Sequence, residues 1–267
     1  MRAGINRTYP FYCILQDIKN SINRDYYADE PRVQLRLRVK ITRGEKGVIS
    51  RIGTRLTSPL CQLRANDIPV DYEGETRQMF LNRYFGGRPY YEYDVKSSIY
   101  RVAYFLRTGE WLNNAVDLYA LMSPYPFATP DDRAEYKKGA AMQLYFGGSP
   151  QKIAASFYDD RVKAKRIKKQ GIKREELTDA IAAAQQRMFA VVGESLGSEV
   201  MLHESAIYLM LLCKLLKMGL RVVSVYDEFI ADDTRLTELV EKLLPKIAAY
   251  YREKMLGKDM MEKCTKD

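Results

Sequence analysis

Two acidic stretches that lie far apart in the sequence carry the residues best suited to chemistry. In residues 90–95 an aromatic run predicts a strand that ends at Asp94. In residues 221–231 two short apolar runs flank Asp227 and Glu228, and this pattern predicts a tight hairpin with carboxylates at its tip. Two aspartates at strand ends suit a two-metal phosphoryl-transfer site, in which ions roughly 3.5–4 Å apart stabilise the attacking and leaving oxygens. The alternative is structural: a solvated acidic turn, and an aspartate that caps a helix.

The sequence favours oxygen ligands for any metal. There is one histidine, His203, and the four cysteines are widely separated: Cys13, Cys61, Cys213 and Cys264. This excludes the usual zinc spacings and indicates free thiols in a reducing, cytoplasmic compartment. A metal would therefore be a hard ion such as Mg²⁺. We expect His203 to be a packed or hydrogen-bonded core residue.

The composition is that of a folded globular protein. With 267 residues, 46% of them apolar and 29% charged, the chain can bury one large core or two modest ones. The longest apolar stretch, residues 206–216, is too short to cross a bilayer. We therefore expect no membrane association.

The positive charge is concentrated in two regions. The net charge is +9, and residues 161–174 contain eight Lys or Arg and no acid. A second patch comprises Arg32, Arg36, Arg38, Lys40 and Arg43. Basic clusters attract phosphate backbones, and the 20 tyrosines could stack on bases, so the pattern favours a nucleic-acid partner. The alternative is a solvated, solubilising face.

Four segments, in order along the chain, resemble motifs of family A DNA polymerases. The first is Gly-Thr-Arg-Leu-Thr-Ser at residues 53–58, similar to Thr-Gly-Arg-Leu-Ser-Ser with the first two residues exchanged. In the family an arginine and hydroxyls of this polar segment hold the primer–template backbone. The resemblance assigns that role to Arg55, Thr57 and Ser58.

The second segment contains the first aspartate. Asp-Val-Lys-Ser-Ser-Ile-Tyr-Arg, from Asp94 to Arg101, resembles the catalytic motif Asp-Tyr-Ser-x-x-Glu-x-Arg. Asp94 and Arg101 keep the spacing of the motif, which implies a nucleic-acid contact for Arg101. Ile99 stands where the family has the glutamate that acts as a steric gate against a ribose 2′-OH.

The third segment predicts a nucleotide-binding helix. Lys138, Met142 and Phe146 are spaced four residues apart, so one helical face could hold a triphosphate at one end and a base and sugar at the other. The segment resembles the family's finger helix, Arg-x-x-x-Lys-x-x-x-Phe-x-x-x-Tyr-Gly, and the single-subunit phage RNA polymerases have Met at its middle position. Arg133 is in register if Lys137, rather than Lys138, is the motif lysine. The alternative is an ordinary amphipathic helix with solvated lysines.

The fourth segment links a long apolar helix to the second aspartate. The spacing from Gly197 to Asp227 is similar to that of the family's Gln-Gly, helix and His-Asp-Glu segment. Leu196 replaces the glutamine that contacts the primer. Tyr226 replaces the histidine and takes its place as the expected nucleic-acid contact.

The resemblance implies an α+β fold: a polymerase palm whose antiparallel sheet carries the catalytic carboxylates, with a small helical fingers subdomain. The expected divisions are an N-terminal helix and strands, or vestigial thumb (1–52), a first palm segment (53–110), reduced fingers (111–195), and a second palm segment with a C-terminal helix (196–267).

The implied activity is primer extension by a minimal DNA polymerase active in DNA replication. Asp94, Asp227 and the carbonyl of Val95 would bind two Mg²⁺ ions, with Mn²⁺ as a substitute. Glu228 would position the primer end or a metal-bound water. The partners would be primer–template DNA or RNA, nucleoside triphosphates, and a subunit or processivity partner supplying the missing thumb. Two alternatives remain open: ribonucleotide incorporation, as in a primase, and a palm that binds nucleic acid without catalysis.

Overall fold

The computed structural model describes residues 5–43, 49–58, 60, 76–123, 126–141, 145, 148–159, 171–194 and 197–255. The helices are α1 Ile5–Tyr26, α2 Arg77–Tyr84, α3 Ser98–Thr108, α4 Leu118–Met122, α5 Pro130–Tyr136, α6 Pro150–Asp159, α7 Arg174–Val192, α8 Gly197–Lys217 and α9 Leu236–Tyr250. Helices α5 and α9 continue into π-helical turns, Lys137–Ala141 and Tyr251–Met255. The strands are β1 Arg36–Arg43, β2 Ile49–Thr57, β3 Tyr91–Asp94, β4 Val222–Val225 and β5 Glu228–Ala231.

The core is built around α8, the predicted apolar helix. This helix contacts α1, α3, α9, β2 and β4. Because it is covered on several sides, its apolar residues are buried through successive turns, from Val200 to Leu216. The helix ends at Lys217, and Gly219 follows it with a φ of 84°, the left-handed conformation that glycine adopts without strain and that commonly terminates helices.

Two antiparallel sheets pack around this helix. In the three-stranded sheet β5 lies between β3 and β4, and β4 and β5 form the predicted hairpin. In the other sheet β1 pairs with β2. The alternation of apolar and polar residues over 33–41 predicts a strand, and the observed strand β1 begins later, at Arg36. The turn that Gly-Glu-Lys-Gly predicts at residues 44–47 lies outside the described residues.

The described N-terminal segment packs onto the core. Helix α1 contacts α8, and the hydroxyl of Tyr27 donates a 2.6 Å hydrogen bond to the carbonyl oxygen of Val222 in β4. Strand β2 also lies on α8, where the backbone N–H of Leu56 donates to the hydroxyl of Ser205 over 3.0 Å. These contacts join the N-terminal segment of the chain to the hairpin and to α8.

The sequence pattern predicts a helical stretch that follows Trp111 and runs to about Met122, and this prediction is wrong over its first half. Only α4, from Leu118, is helical, and residues 109–117 form a connecting loop. The physical reason is that the carbonyls of Leu112, Asn113 and Val116 accept hydrogen bonds from the guanidinium of Arg101, a partner from outside the segment. Sequence periodicity within the segment cannot indicate such a partner.

The sequence offers Thr129 or Asp131-Asp132 as the cap of the helix after the proline-rich link, and α5 uses Thr129. Thr129 accepts the backbone N–H of Asp132, whose carboxylate accepts that of Thr129, and Pro130 occupies the first helical turn. The helix then widens into the π-helical turn Lys137–Ala141, which alters the four-residue spacing that the sequence predicted. Met142 and Phe146 lie outside the described residues.

Helices α6 and α7, which flank the basic segment of residues 161–174, are in contact with each other. They pack against each other, and the hydroxyl of Tyr158 donates a 2.6 Å hydrogen bond to the carbonyl oxygen of Ile172. Residues 160–170, which carry most of the basic side chains, lie outside the described residues.

The chain is therefore a mostly helical α+β protein with small antiparallel sheets, as predicted at that level. The assignment of the three-stranded sheet to a polymerase palm stays a prediction. Among the described residues, none of the helices has both the length and the apolar character needed to cross a membrane.

Candidate active site at the end of the three-stranded sheet

The sheet brings the two predicted aspartates side by side. Asp94, the last residue of β3, is paired with Glu228, the first residue of β5. One residue further, the backbone N–H of Val95 donates a 3.0 Å hydrogen bond to the carbonyl oxygen of Asp227. The side chain of Asp94 is exposed and that of Asp227 is half-buried. Two acids 133 positions apart in the sequence therefore meet at one edge.

The turn of the hairpin and a neighbouring loop fix this edge. Tyr226, the first turn residue, has a φ of 59°, which lets a two-residue connection join β4 to β5. On the other side, the Asn114 side-chain amide donates a hydrogen bond to the carbonyl oxygen of Asp94 and accepts one from the backbone N–H of Lys96. Each of these bonds is 2.9 Å long. The backbone around Asp94 is thus held from the hairpin and from the loop.

Glu228 lies in a strongly acidic environment. Cross-strand pairing places it on the same face as Asp94, and Glu92 precedes Asp94 by two residues on that face. Arg77 is the facing cation, with its Nη1 3.7 Å from Oε2 of Glu228. Burial, together with the charges of Glu92, Asp94 and Asp227, raises the pKa of Glu228 to about 7 against the opposing charge of Arg77. Close to neutral pH this carboxyl holds a proton for part of the time.

The donor set suits a hard cation that keeps part of its hydration shell. In the portion of the chain that the structure describes, no group of three or more His, Cys, Asp or Glu residues could hold a metal ion by itself. Asp94, Asp227 and the carbonyl of Val95 offer oxygen atoms only. Mg²⁺ is commonly bound in this way, through one or two carboxylates together with water and substrate phosphates.

Tyr119 is close to two cations, Arg133 and Lys137, and also interacts with the charge of Asp227. The guanidinium of Arg133 lies 5.0 Å from the centre of the Tyr119 ring, and Nζ of Lys137 lies 5.8 Å from it. Burial is the main cause that raises the pKa of Tyr119 to about 12, while Arg133 opposes the shift and the charge of Asp227 contributes to it. Tyr119 is therefore close enough to both groups to feel their charges. The side chains of Lys137 and Lys138 are exposed.

Arg133 is already engaged within the protein. Its Nε donates to Oδ2 of Asp117 over 2.6 Å and its Nη2 to Oδ1 over 3.1 Å. Asp117 also caps α4 by accepting the backbone N–H of Tyr119. Arg133 thus ties α5 to α4, and the two lysines are the better placed cations for a triphosphate.

The predicted contact between Arg101 and nucleic acid is wrong. Arg101 is 0% exposed, and its guanidinium donates to the backbone carbonyls of Lys96, Leu112, Asn113 and Val116. A buried guanidinium with four carbonyl partners cannot reach a phosphate. It instead fixes the loop that carries Asn114.

Most of the segment 53–58, which resembles the primer–template-binding motif, lies in strand β2. Thr57 and Ser58 are 6% and 3% exposed, and their hydroxyls donate over 3.4 Å to the carbonyls of Arg36 and Ser224. Their predicted contact with a nucleic-acid backbone is therefore wrong, since both hydroxyls face protein. Arg55 lies in β2, paired with Arg38 of β1.

Ile99 is half-buried against the core, and Tyr226 is half-buried at the hairpin turn. The prediction for His203 is confirmed: it is buried, with its Nδ1 2.6 Å from the hydroxyl oxygen of Tyr251, and burial lowers its pKa to about 4. Sequence reasoning missed Arg77 and Tyr119, for which no motif exists. It also missed Glu204, although an acid within the apolar α8 was a visible signal.

Comparison of the chain with protein-family models, with curated proteins and with solved structures found no match. Function must therefore be argued from the geometry described above.

Proposed function

We propose that the protein is a template-directed nucleotidyltransferase, a minimal DNA polymerase that extends a primer 3′-OH. The observation that carries the proposal is the pairing of Asp94 with Glu228 and the adjacent hydrogen bond from Val95 to Asp227, which join two distant acids at one edge of the sheet. An edge with two neighbouring aspartates suits the metal-assisted in-line displacement predicted from the sequence.

In this proposal β3, β4 and β5 form the palm, α4 to α7 form reduced fingers, and α8 supports the catalytic edge. The exposed carboxylate of Asp94, the half-buried carboxylate of Asp227 and the carbonyl of Val95 would hold Mg²⁺. When bound, the metal would lower the pKa of the primer 3′-OH and neutralise charge on the triphosphate. Lys137 and Lys138 would lie along the phosphates.

In the reaction, the primer 3′-hydroxyl would lose its proton to a water molecule, its oxygen would form a bond to the α-phosphorus, and the bond from the α-phosphorus to the leaving pyrophosphate would break. The Asp94 and Asp227 carboxylates orient the reacting groups throughout. Glu228, whose pKa is raised to about 7, can hold a proton beside these carboxylates without adding a full negative charge. This supports the predicted role of Glu228 in positioning the primer end or a water molecule.

The test is primer extension with Mg²⁺ by the wild type, Asp94→Ala and Asp227→Ala, with Asp179→Ala on the exposed side of α7 as a matched control. We expect both site variants to lose extension and to keep nearly all primer–template binding, because they lose metal ligands and no phosphate contact. The control should retain both. A folded site variant that extends normally, or one that loses binding, would contradict the assigned roles.

A second candidate, ribonucleotide incorporation, is favoured by one observation. Ile99, at the position of the family's gate glutamate, is an apolar residue packed against the core and offers no carboxylate to a sugar. Supplying dNTPs or NTPs in the same extension assay decides between DNA synthesis and primase-like RNA synthesis. Tight binding with no extension by either would instead indicate a nucleic-acid-binding palm that lacks catalysis.

A further inference from the structure

The two-stranded sheet separates charged from apolar residues onto its two faces. Directly paired residues of antiparallel strands lie on the same face, and alternate residues of one strand lie on opposite faces. The register of β1 and β2 places five cations on one face, together with two threonines and one glycine. The residues of this face, which we call the ribbon face, are Arg36, Arg38, Lys40 and Thr42 in β1 and Arg51, Gly53, Arg55 and Thr57 in β2.

The opposite face of the sheet is mostly apolar and attaches it to the protein. Leu56 on that face is 4% exposed, Leu37 packs against the core, and β2 lies on α8. Arg36 of the ribbon face is exposed. The ribbon face is therefore open to solvent at this end. The apolar face consists of Leu37, Val39, Ile41, Ile52, Thr54 and Leu56.

The charges of the ribbon face do not stabilise the sheet. The register pairs Arg38 directly with Arg55, and like charges at directly opposite positions destabilise a strand pair. None of the paired positions on this face supplies a carboxylate to offset the repulsion. Such a concentration of positive charge suits a polyanionic partner, because an anion bound along the two rows of cations offsets their mutual repulsion.

The residue types and shape of the ribbon face favour duplex DNA. Proteins commonly hold a single strand by stacking aromatic side chains on its bases, and the paired positions of this face contain no aromatic residue. The major groove of B-form DNA, about 12 Å wide, admits a two-stranded antiparallel ribbon. Gly53, opposite Lys40, has no side chain, and glycine within a strand often marks a place where another backbone approaches closely.

We propose that the ribbon face binds B-form duplex DNA in its major groove, with its cations contacting the phosphates. Successive cations of β1 lie two residues, or about 7 Å, apart along the strand, so Arg36, Arg38 and Lys40 follow a phosphate backbone over roughly 14 Å. The sequence indicates these three residues as part of a basic patch, and the register adds Arg51 and Arg55 across from β1. The inference goes beyond the proposed function, since duplex binding at this face does not require catalysis by the carboxylates.

The experiment measures equilibrium binding to three probes of the same sequence: a short blunt-ended DNA duplex, one of its single strands, and the corresponding RNA duplex. Fluorescence anisotropy is recorded without metal or nucleotide at several salt concentrations. The variant Arg36→Gln/Arg38→Gln/Lys40→Gln should bind the DNA duplex at least about tenfold more weakly, with a salt slope lower by about 2–3, because each phosphate contact contributes about 0.9. Binding of the single strand and of the RNA duplex, whose major groove is too narrow for the ribbon, should change much less.

The control Lys217→Gln/Lys242→Gln/Lys246→Gln removes the same charge from exposed positions outside the two basic regions. It should bind the DNA duplex almost as tightly as the wild type does. Equal weakening of duplex binding by the two triple variants would overturn the proposal, because overall charge would then explain the effect. Equal weakening of duplex and single-strand binding by the ribbon variant would also overturn it.

A single substitution separates binding from folding. Arg38→Glu places a carboxylate opposite Arg55, so it should raise the urea midpoint of unfolding while it weakens duplex binding. Unchanged duplex binding, or a lower urea midpoint, would overturn the proposal, since Arg38 would then have no binding role or would support the fold. If the ribbon variant loses duplex binding and the wild type extends no primer, the ribbon face is supported and the polymerase activity is overturned. If the wild type extends primers and the ribbon variant binds the duplex normally, only the ribbon face is overturned.

Discussion

At the scale of single residues, burial and neighbouring acids raise the pKa of Glu228. It is 21% exposed, it faces Glu92 and Asp94 on one surface of the sheet, and Arg77 is 3.7 Å away. Its pKa rises from 4.5 to about 7. A carboxyl whose pKa is higher in the folded than in the unfolded state stabilises the fold only while it is protonated.

This makes stability depend on pH in a defined window. The contribution of Glu228 should be fully present below pH 4.5 and lost as the pH rises through about 7. Glu228→Gln removes this dependence, so its free energy of unfolding relative to the wild type should increase between pH 4.5 and pH 8 by up to about 3 kcal/mol. Urea denaturation of both proteins at the two pH values measures the change, and Glu238→Gln serves as the exposed control. An unchanged difference would mean that Glu228 has an ordinary pKa.

At the scale of elements, the loop between α3 and α4 determines how β3 presents its aspartate. Arg101 in α3 holds the carbonyls of Leu112, Asn113 and Val116, and Asn114 within that loop holds the backbone on either side of Val95. The buried guanidinium of Arg101 therefore acts on the candidate site indirectly. It holds the loop, and Asn114 in that loop holds the backbone next to Asp94.

Replacing the guanidinium of Arg101 should lower the stability of the protein and disturb the loop that holds the backbone around Asp94. A lysine cannot reproduce the fork that serves four carbonyls, so Arg101→Lys should lower the free energy of unfolding by roughly 2–5 kcal/mol. Arg235→Lys, whose side chain is 65% exposed, should change it by less than about 0.5 kcal/mol. Urea denaturation of the two variants gives the comparison. Similar values for both would show that Arg101 does not support the loop.

The features of this architecture that sequence could predict are those with local causes. The hairpin around Asp227, the strand ending at Asp94 and the Thr129 cap each depend on residues within a few positions of one another. The sequence also indicated the burial of His203, since it lies in an apolar helix and lacks a partner ligand nearby.

The rest depends on contacts between distant segments. Arg101 matches a motif by its spacing, but packing decides whether it is buried. Three of its four carbonyl partners lie in a loop that the sequence pattern predicts as helix. Thr57 and Ser58 resemble a phosphate-binding segment, yet they face protein because β2 packs against α8. Tyr119 comes close to Arg133 and Lys137, and interacts with the charge of Asp227, only because α4 and α5 are packed together in the folded protein.

At the scale of the whole molecule, the uneven charge distribution bears on the proposed binding of nucleic acid. The net charge is +9, and residues 161–174 supply eight positive charges. A small protein contacts few phosphates, and each lost contact lowers the salt dependence of binding by about 0.9 in the slope of log K against log salt concentration. If the proposed polymerase activity is right, we therefore expect low processivity, with a salt dependence that comes mainly from the basic residues 161–174.

Neutralising the basic segment tests this expectation. Changing four of its cations to Gln should reduce the slope by as much as about 3–4, if each contacts a phosphate. Fluorescence anisotropy titrations at several salt concentrations provide the slope. As a control, four exposed lysines outside the basic segment are changed to Gln, which removes the same net charge. Equal effects of the two sets of substitutions on the slope would show that overall charge, and not the basic segment, attracts the nucleic acid. The basic-segment set is Lys165, Arg166, Lys168 and Lys169, and the control set is Lys217, Lys242, Lys246 and Lys254.

The hydrogen bond from Tyr158 to Ile172 has a practical consequence. It brings together the two ends of the interval that carries most of the basic residues, and α6 and α7 remain packed on either side of it. Non-covalent contacts therefore hold these two helices together in addition to the backbone of that interval. We expect that the chain can be divided there into two separately expressed fragments, each with one aspartate of the candidate site, so that reassembly of the fragments would also assemble the acidic pair.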